Sequence, residues 1–258
     1  MSRRVTEHIS ELEAMRKYPD PLFYKGDLAL LHRPKVSIVG TRNPSIYTKN
    51  FTYTLAKALA KRGVAVVSGA AMGVDTIAHK GAREENTIAV AANGLDIRYP
   101  AVNRELIGKI ESKGLVLSQF DDGFRATGWS FVVRNELVVA LGEILIVTEA
   151  DLESGSMRSV EYALKMGKEI YVCPHRMDES PGTNRLLAGG KAKPIYEIET
   201  FASKFGREVK DEIPRDEFFY FCQSSPTFDA ALERFGNRVY EAELEGTITI
   251  QNGIVRLE

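Results

Sequence analysis

Short, almost uninterrupted apolar runs at 36–39, 64–67, 87–92, 114–117, 144–148 and 169–173 alternate with stretches of helical period at 47–62, 74–83, 104–112, 131–142 and 156–166. A strand without polar alternation is buried on both faces, and the intervening helices supply the cover. Right-handed crossovers then make the sheet doubly wound and mostly parallel, an α/β fold of Rossmann-like type. Residues 183–189 and 193–198 read as a closing helix and strand.

The periodicity stops at 206–217, GREVKDEIPRDE, which is charged, contains Pro214 and has no apolar face; this is the expected linker. Beyond it, 218–222, 229–235, 239–245 and 247–256 read as three short helices and a hairpin-like end turning at Asn252-Gly253. The expected organisation is an N-terminal extension at 1–34 packing on the core, a Rossmann-like domain at 35–205, the linker, and a small, mainly helical module at 218–258. Some forty residues are marginal for independent folding, so that module is expected to dock on something.

Composition adds exclusions. The 258 residues are 44% hydrophobic and 27% charged, which fits a globular chain and excludes a disordered or collagen-like one. No apolar run has the length of a membrane span and the first residues carry no signal-peptide core, so a cytoplasmic protein is expected. Cys173 and Cys222 lie far apart without C-x-x-C spacing, against a disulfide framework or a zinc site. Charge divides unevenly: from Gly206 onward there are 6 basic and 11 acidic residues, leaving 28 basic and 24 acidic before it. A polyanion is expected to meet the first part and be repelled by the last.

Open α/β sheets bind ligands at the carboxyl ends of their strands. The turns expected there are Gly40-Thr41-Arg42-Asn43-Pro44-Ser45, Ser68-Gly69-Ala70-Ala71-Met72-Gly73, Ala92-Asn93-Gly94-Leu95-Asp96, Leu117-Ser118-Gln119-Phe120 and Ser154-Gly155-Ser156-Met157-Arg158. Thr41 and Ser45 offer hydroxyls, Arg42 a planar fork for phosphate, and Gly69 an approachable backbone N–H. Neither G-x-G-x-x-G nor G-x-x-x-x-G-K-[ST] occurs, which removes the main support for a nicotinamide, flavin or P-loop nucleotide; no cofactor is expected. Phe131 stands three positions before Arg134-Asn135, so a helix puts an aromatic, a cation and an amide on one side, as single-stranded nucleic acid requires; Trp129 and Phe131 could equally be core. Asp75 reads as a loop-orienting carboxylate. Asp75 and His79 have a metal-sharing spacing but no third ligand, so no metal is expected. His32 and His175 read as surface or packing residues, and no catalytic triad is legible.

Taken together, these motifs resemble the DNA-processing protein A family (DprA, also called Smf). The matching segments are Tyr18-Pro19, LFYKGD at 22–27, 36–42, SGAAMGVDTIAH at 68–79, TIAVAANGLDIRYP at 87–100, LVLSQ at 115–119, FVVRN at 131–135 and SGSMRS at 154–159. The resemblance spans about 18–200 and implies an extended Rossmann-like fold, single-stranded DNA binding without strong sequence preference, homodimers, and loading of the RecA recombinase during natural transformation; the module at 218–258 weakly resembles the family's small winged-helix-like domain. The family's DNA pocket carries over to Arg42, Ser68, Gly69, Ser118, Phe131, Arg134, Asn135, Gly155 and Ser156. Where the family usually has R-N-R, this chain has Arg134-Asn135-Glu136, which is expected to remove a positive charge from the groove. It also has Gln119 for the frequent glutamate and His175 for the frequent glycine after Pro174.

Two classes of function follow. The leading one is a non-enzymatic, single-stranded-DNA-binding recombination mediator with no membrane association. The alternative is a nucleotide-binding enzyme resembling the lysine-decarboxylase-like phosphoribohydrolases, whose P-G-G-x-G-T-x-x-E would fall at 154–161 with Glu161 as the acting carboxylate. Here the paired glycines are missing and the glutamate spacing is one short.

Overall fold

The computed structural model describes residues 2–207, 216–244 and 247–257. The chain divides into two compact units, Met1–Val209 and Lys210–Glu258. In chain order the first unit contains β1 (Arg3–Arg4), β2 (Phe23–Gly26), β3 (Lys35–Val39), α1 (Ile46–Lys61), β4 (Ala65–Ser68), α2 (Val74–Ala82), β5 (Thr87–Ala91), α3 (Arg104–Lys113) and β6 (Leu115–Ser118). It continues with α4 (Gly128–Leu141), β7 (Leu145–Val147), α5 (Gly155–Lys165), β8 (Ile170–Val172), α6 (Pro181–Ala188), β9 (Lys193–Pro194) and α7 (Ile198–Ala202). The strands form one sheet in the order β1-β2-β6-β5-β4-β3-β7-β8-β9. All pairings from β6 to β9 are parallel, and β2 pairs antiparallel with both β1 and β6.

Burial follows the apolar runs. Every residue of β3 and β4 is buried. Val36 and Ile38 face α1, α2 and α7 through Leu55, Leu59, Ala78 and Phe201, while Val39 turns to the opposite layer with Leu137, Leu141 and Val160 from α4 and α5. Ser37 shares that second face without penalty because its hydroxyl donates to Val138 O at 2.6 Å. The strand order reverses between β3 and β7, which opens a crevice at their carboxyl ends.

Several boundaries differ from the expected ones. Residues 1–34 contribute β1 and β2 to the sheet itself, where packing against a finished core was expected. The strand expected at 114–117 starts at Leu115, because Gly114 closes α3 by donating to Ile110 O at 2.8 Å. The closing strand expected at 193–198 is confined to β9, and Ile198 opens α7, whose Phe201 packs on Tyr171 at 4.8 Å between ring centroids.

The second unit holds α8 (Glu217–Gln223), α9 (Phe228–Phe235), α10 (Arg238–Leu244), β10 (Ile248–Gln251) and β11 (Ile254–Leu257). Three short helices followed by an antiparallel hairpin give the helical, winged-helix-like order, around Phe218, Cys222, Ala231, Val239, Ile248 and Val255. Asn252 and Gly253 occupy the two-residue turn at φ 53° and 75°, as a primed hairpin turn demands. Most of the linker expected at 206–217, namely positions 208–215, lies outside the described residues, as does Glu245 at the end of the third expected helix.

Candidate nucleic-acid interface

At the β3/β7 switch point a cleft of about 640 Å³ is walled by the turn after β3 (Thr41, Arg42), the turn after β4 (Gly69, Asp75), α4 (Phe131, Arg134, Asn135) and the start of α5 (Ser154, Gly155, Ser156). Of the nine residues predicted for the site, seven line this cleft: Arg42, Gly69, Phe131, Arg134, Asn135, Gly155 and Ser156.

The helix that brings Phe131 there is fixed at its first turn. Thr127 Oγ1 accepts from Ser130 N at 3.3 Å while Ser130 Oγ accepts from Thr127 N at 2.8 Å, a reciprocal cap. Phe131 is half-buried. The guanidinium carbon of Arg42 lies 5.4 Å from its ring centroid, that of Arg134 lies 5.9 Å away, and the Tyr99 ring lies 6.1 Å away. Both cations fall within range of the ring's negative face. Arg42 is exposed, so its planar donors remain open to a ligand. Across the cleft, α5 begins at Gly155, where a side chain would meet open space, and no side-chain hydrogen bond from Ser154 caps its first turn.

Beneath these groups lies a buried polar network. Asp75 Oδ2 accepts from Gly69 N at 3.1 Å and Ala71 N at 3.3 Å. Arg134 is 4% exposed; it donates to Gly69 O and, at 3.0 Å, to Val90 O. Burial pushes the Asp75 carboxyl up and the Arg134 guanidinium down, and each opposes the other's shift through its charge. His79 is fully buried, with Nε2 accepting from Ala70 N at 3.3 Å. Burial, reinforced by Arg134, depresses it to about 3, so the ring is neutral. Asp75 therefore orients the loop, and His79 supports its floor.

Several sequence expectations need correction. Ser68 and Ser118 are fully buried and do not line the cleft: Ser68 Oγ donates to Ile38 O at 2.7 Å and Ser118 Oγ to Asn93 O at 2.7 Å. The Ser68 hydroxyl ties β4 to β3, and the Ser118 hydroxyl ties β6 to the turn after β5. The Gly69 N–H is consumed by Asp75, and the glycine is needed because a Cβ there would run into the Arg134 guanidinium. The Ser45 hydroxyl donates to Glu149 Oε2 at 3.0 Å and caps α1 through Thr48 N, so it is not presented to the cleft. Glu136, expected to reduce the charge of the groove, points instead to the N-terminal segment, where Oε1 accepts from Arg16 N at 2.9 Å. Glu161 pairs with Arg158 at 3.2 Å on the exposed side of α5. Tyr99, half exposed beside Phe131, was not anticipated; its only signal was its place in the GLDIRYP segment.

A doubly wound sheet whose switch-point cleft is lined by an exposed guanidinium, an aromatic ring and the start of a helix defines a Rossmann-like protein with an open cleft at its strand ends. The chain belongs to the DNA recombination-mediator protein A family, whose model matches residues 4–206. It is 35% identical over 217 residues to protein Smf of Escherichia coli K12, covering 81% of this chain and 58% of that protein. It is 33% identical over 214 residues to the DNA processing protein DprA of Bacillus subtilis 168, covering 81% and 69% respectively. The chain thus spans little more than half the length of the Escherichia coli relative. The solved structure of DNA processing protein A from Helicobacter pylori, concerned with that protein's single-stranded DNA binding mode, superposes with a TM-score of 0.77 at 40% identity, covering 79% of this chain and 95% of that one. Among the described residues no helix is long and apolar enough to cross a membrane, and no group of three or more His, Cys, Asp or Glu is placed to hold a metal ion.

Proposed function

We propose that this protein binds single-stranded DNA in the switch-point cleft and acts as a non-enzymatic recombination mediator. The observation that carries the reading is the pairing of Arg42 with Phe131 at the mouth of an open cleft, a cation for a phosphate beside a ring for a base. The open start of α5 adds neutral donors for a second phosphate. The bond between Asn135 and Gly155 O, at 3.4 Å, links the two helices that frame the path. Stacking on a ring tolerates any base, which suits a protein that must accept incoming strands of arbitrary sequence. A duplex hides its bases and has no comparable use for Phe131.

The family resemblance extends the proposal. A homodimer would present two such clefts, protect one strand, and pass it to a RecA-type recombinase during natural transformation in the cytoplasm. The glycosidase alternative gains nothing from the position of Glu161, which is tied to Arg158 and absent from the cleft wall. Fluorescence anisotropy with labelled oligo-dT and a duplex of equal length, titrated from low to high salt, tests the reading. The expected result is tighter binding to the single strand with a steep salt dependence; equal affinity for the duplex, or no binding at low salt, overturns it.

A further inference from the structure

Beyond Phe131 the cleft continues onto a ledge that the site residues leave unused. A small recess next to the cleft is bordered by Arg42, Met72, Tyr99, Pro100 and Phe131. Tyr99 is 47% and Met72 46% exposed, so a ring and a thioether that border the same recess both reach water at the edge of the cleft. The Tyr99 ring is tilted by 44° to Phe131 with 6.1 Å between centroids.

The backbone under Tyr99 is clamped on both sides. Arg98 donates to Glu111 Oε2 at 3.0 and 2.6 Å, and Asn93 Nδ2 donates to Ile97 O at 2.6 Å. After Pro100, Asn103 Nδ2 donates to Ala70 O at 2.9 Å, tying this loop to the turn that carries Gly69. A large ring held exposed on a loop this constrained loses little freedom when a ligand covers it.

We infer that Tyr99 is a second base-stacking platform, so that the strand crosses the cleft on two consecutive aromatic rings, Phe131 and Tyr99, with Arg42, which borders the same recess, meeting the intervening phosphate. The inference rests on the single-stranded DNA reading above. A base inserted between the two rings would need about 7 Å of parallel separation, which a tilted pair with 6.1 Å between centroids does not offer. Each ring therefore takes its own base, and the base on Phe131 takes the place of the exposed Arg42 guanidinium over that ring. Met72 borders the Tyr99 base with a polarizable surface that adapts to purine or pyrimidine.

The test combines variants with unmodified protein. Tyr99→Leu is expected to weaken oligo-dT binding roughly tenfold, as loss of one stacked base would. Tyr99→Phe should bind like the parent. In the double variant Tyr99→Leu/Phe131→Ala the two losses should multiply. Far-UV circular dichroism and thermal melting report the folding of each variant. With the parent protein, a short oligomer carrying two adjacent thymines among abasic residues should bind roughly tenfold tighter than one carrying a single thymine. Unchanged affinity in a folded Tyr99→Leu protein, a double variant no weaker than Phe131→Ala alone, or no gain from the second thymine overturns the inference. Failure of the parent protein to bind oligo-dT at all would instead remove the reading beneath it.

Discussion

Arg42 and Phe131 touch each other yet should respond differently to removal. Arg42→Ala should weaken binding to every sequence alike and flatten the salt dependence by about one phosphate, since a neutralised phosphate releases counterions. Phe131→Ala should cost roughly 1–3 kcal/mol of binding with the salt slope nearly unchanged, because stacking carries little ionic character. Salt-titrated anisotropy separates the two. If Phe131→Ala melts far earlier but binds normally when cold, the ring is structural. His79 gives a residue-scale prediction of another kind. Its folded value of about 3 lies below the ordinary 6.5. Between those values the unfolded chain takes up a proton that the folded protein refuses. Stability is therefore full above pH 6.5 and falls as the pH drops toward 3, by at most about 1.4 kcal/mol per pH unit from this group. Urea midpoints from pH 7 to 4 should fall less steeply in His79→Gln; parallel curves would exclude the assignment. Neither the burial of Arg134 nor the inward hydroxyls of Ser68 and Ser118 was legible in the sequence. A helical arginine ordinarily reads as solvated, and a serine at a strand end can face either way.

At the scale of elements, the buried strands were plain from their apolar runs, since β3, β4, β5 and β7 sit where no face meets water. β2 was illegible as a strand because Phe-Tyr-Lys-Gly is short, only partly buried, and defined by its pairing with β6 rather than by its own pattern. The start of α4 was placed three residues late, because Gly128 and exposed Trp129 break the apolar period while the reciprocal cap from Thr127 decides the true boundary. That cap has a measurable value. Thr127→Ala should cost about 1 kcal/mol of stability and Thr127→Ser almost none, as read from denaturant midpoints. Because α4 carries Phe131, oligo-dT affinity should fall with the alanine and recover with the serine. An alanine variant as stable as the parent would show that tertiary packing alone fixes the helix start.

For the whole molecule, the two units differ in charge. Residues 206–258 carry a net −5, whereas the preceding part carries +4. Among the described residues of the second unit, Arg234 and Arg238 are paired with Glu217 and Asp216, which further limits what that unit can offer a phosphate. A chain ending at Val209 keeps the bonds from Arg207 N to Arg62 O and from Arg62 Nε to Phe205 O, and with them the last turn of the first unit. It should retain oligo-dT affinity to within about 1 kcal/mol. A loss above about 2 kcal/mol, some thirtyfold, from a folded truncation would place a principal DNA contact in the second unit.

The antiparallel seam between β2 and β6 also sets an order of events during synthesis. Phe23 finds its partner at Ser118, and Gly26 finds its partner at Leu115. On a ribosome adding roughly 5–20 residues per second, β2 emerges several seconds or more before the strand that covers its backbone groups exists. Until then its amides and carbonyls are open to any other extended segment. The β2 edge must therefore wait for β6, and a nascent polypeptide stalled before residue 115 would carry that edge unmated.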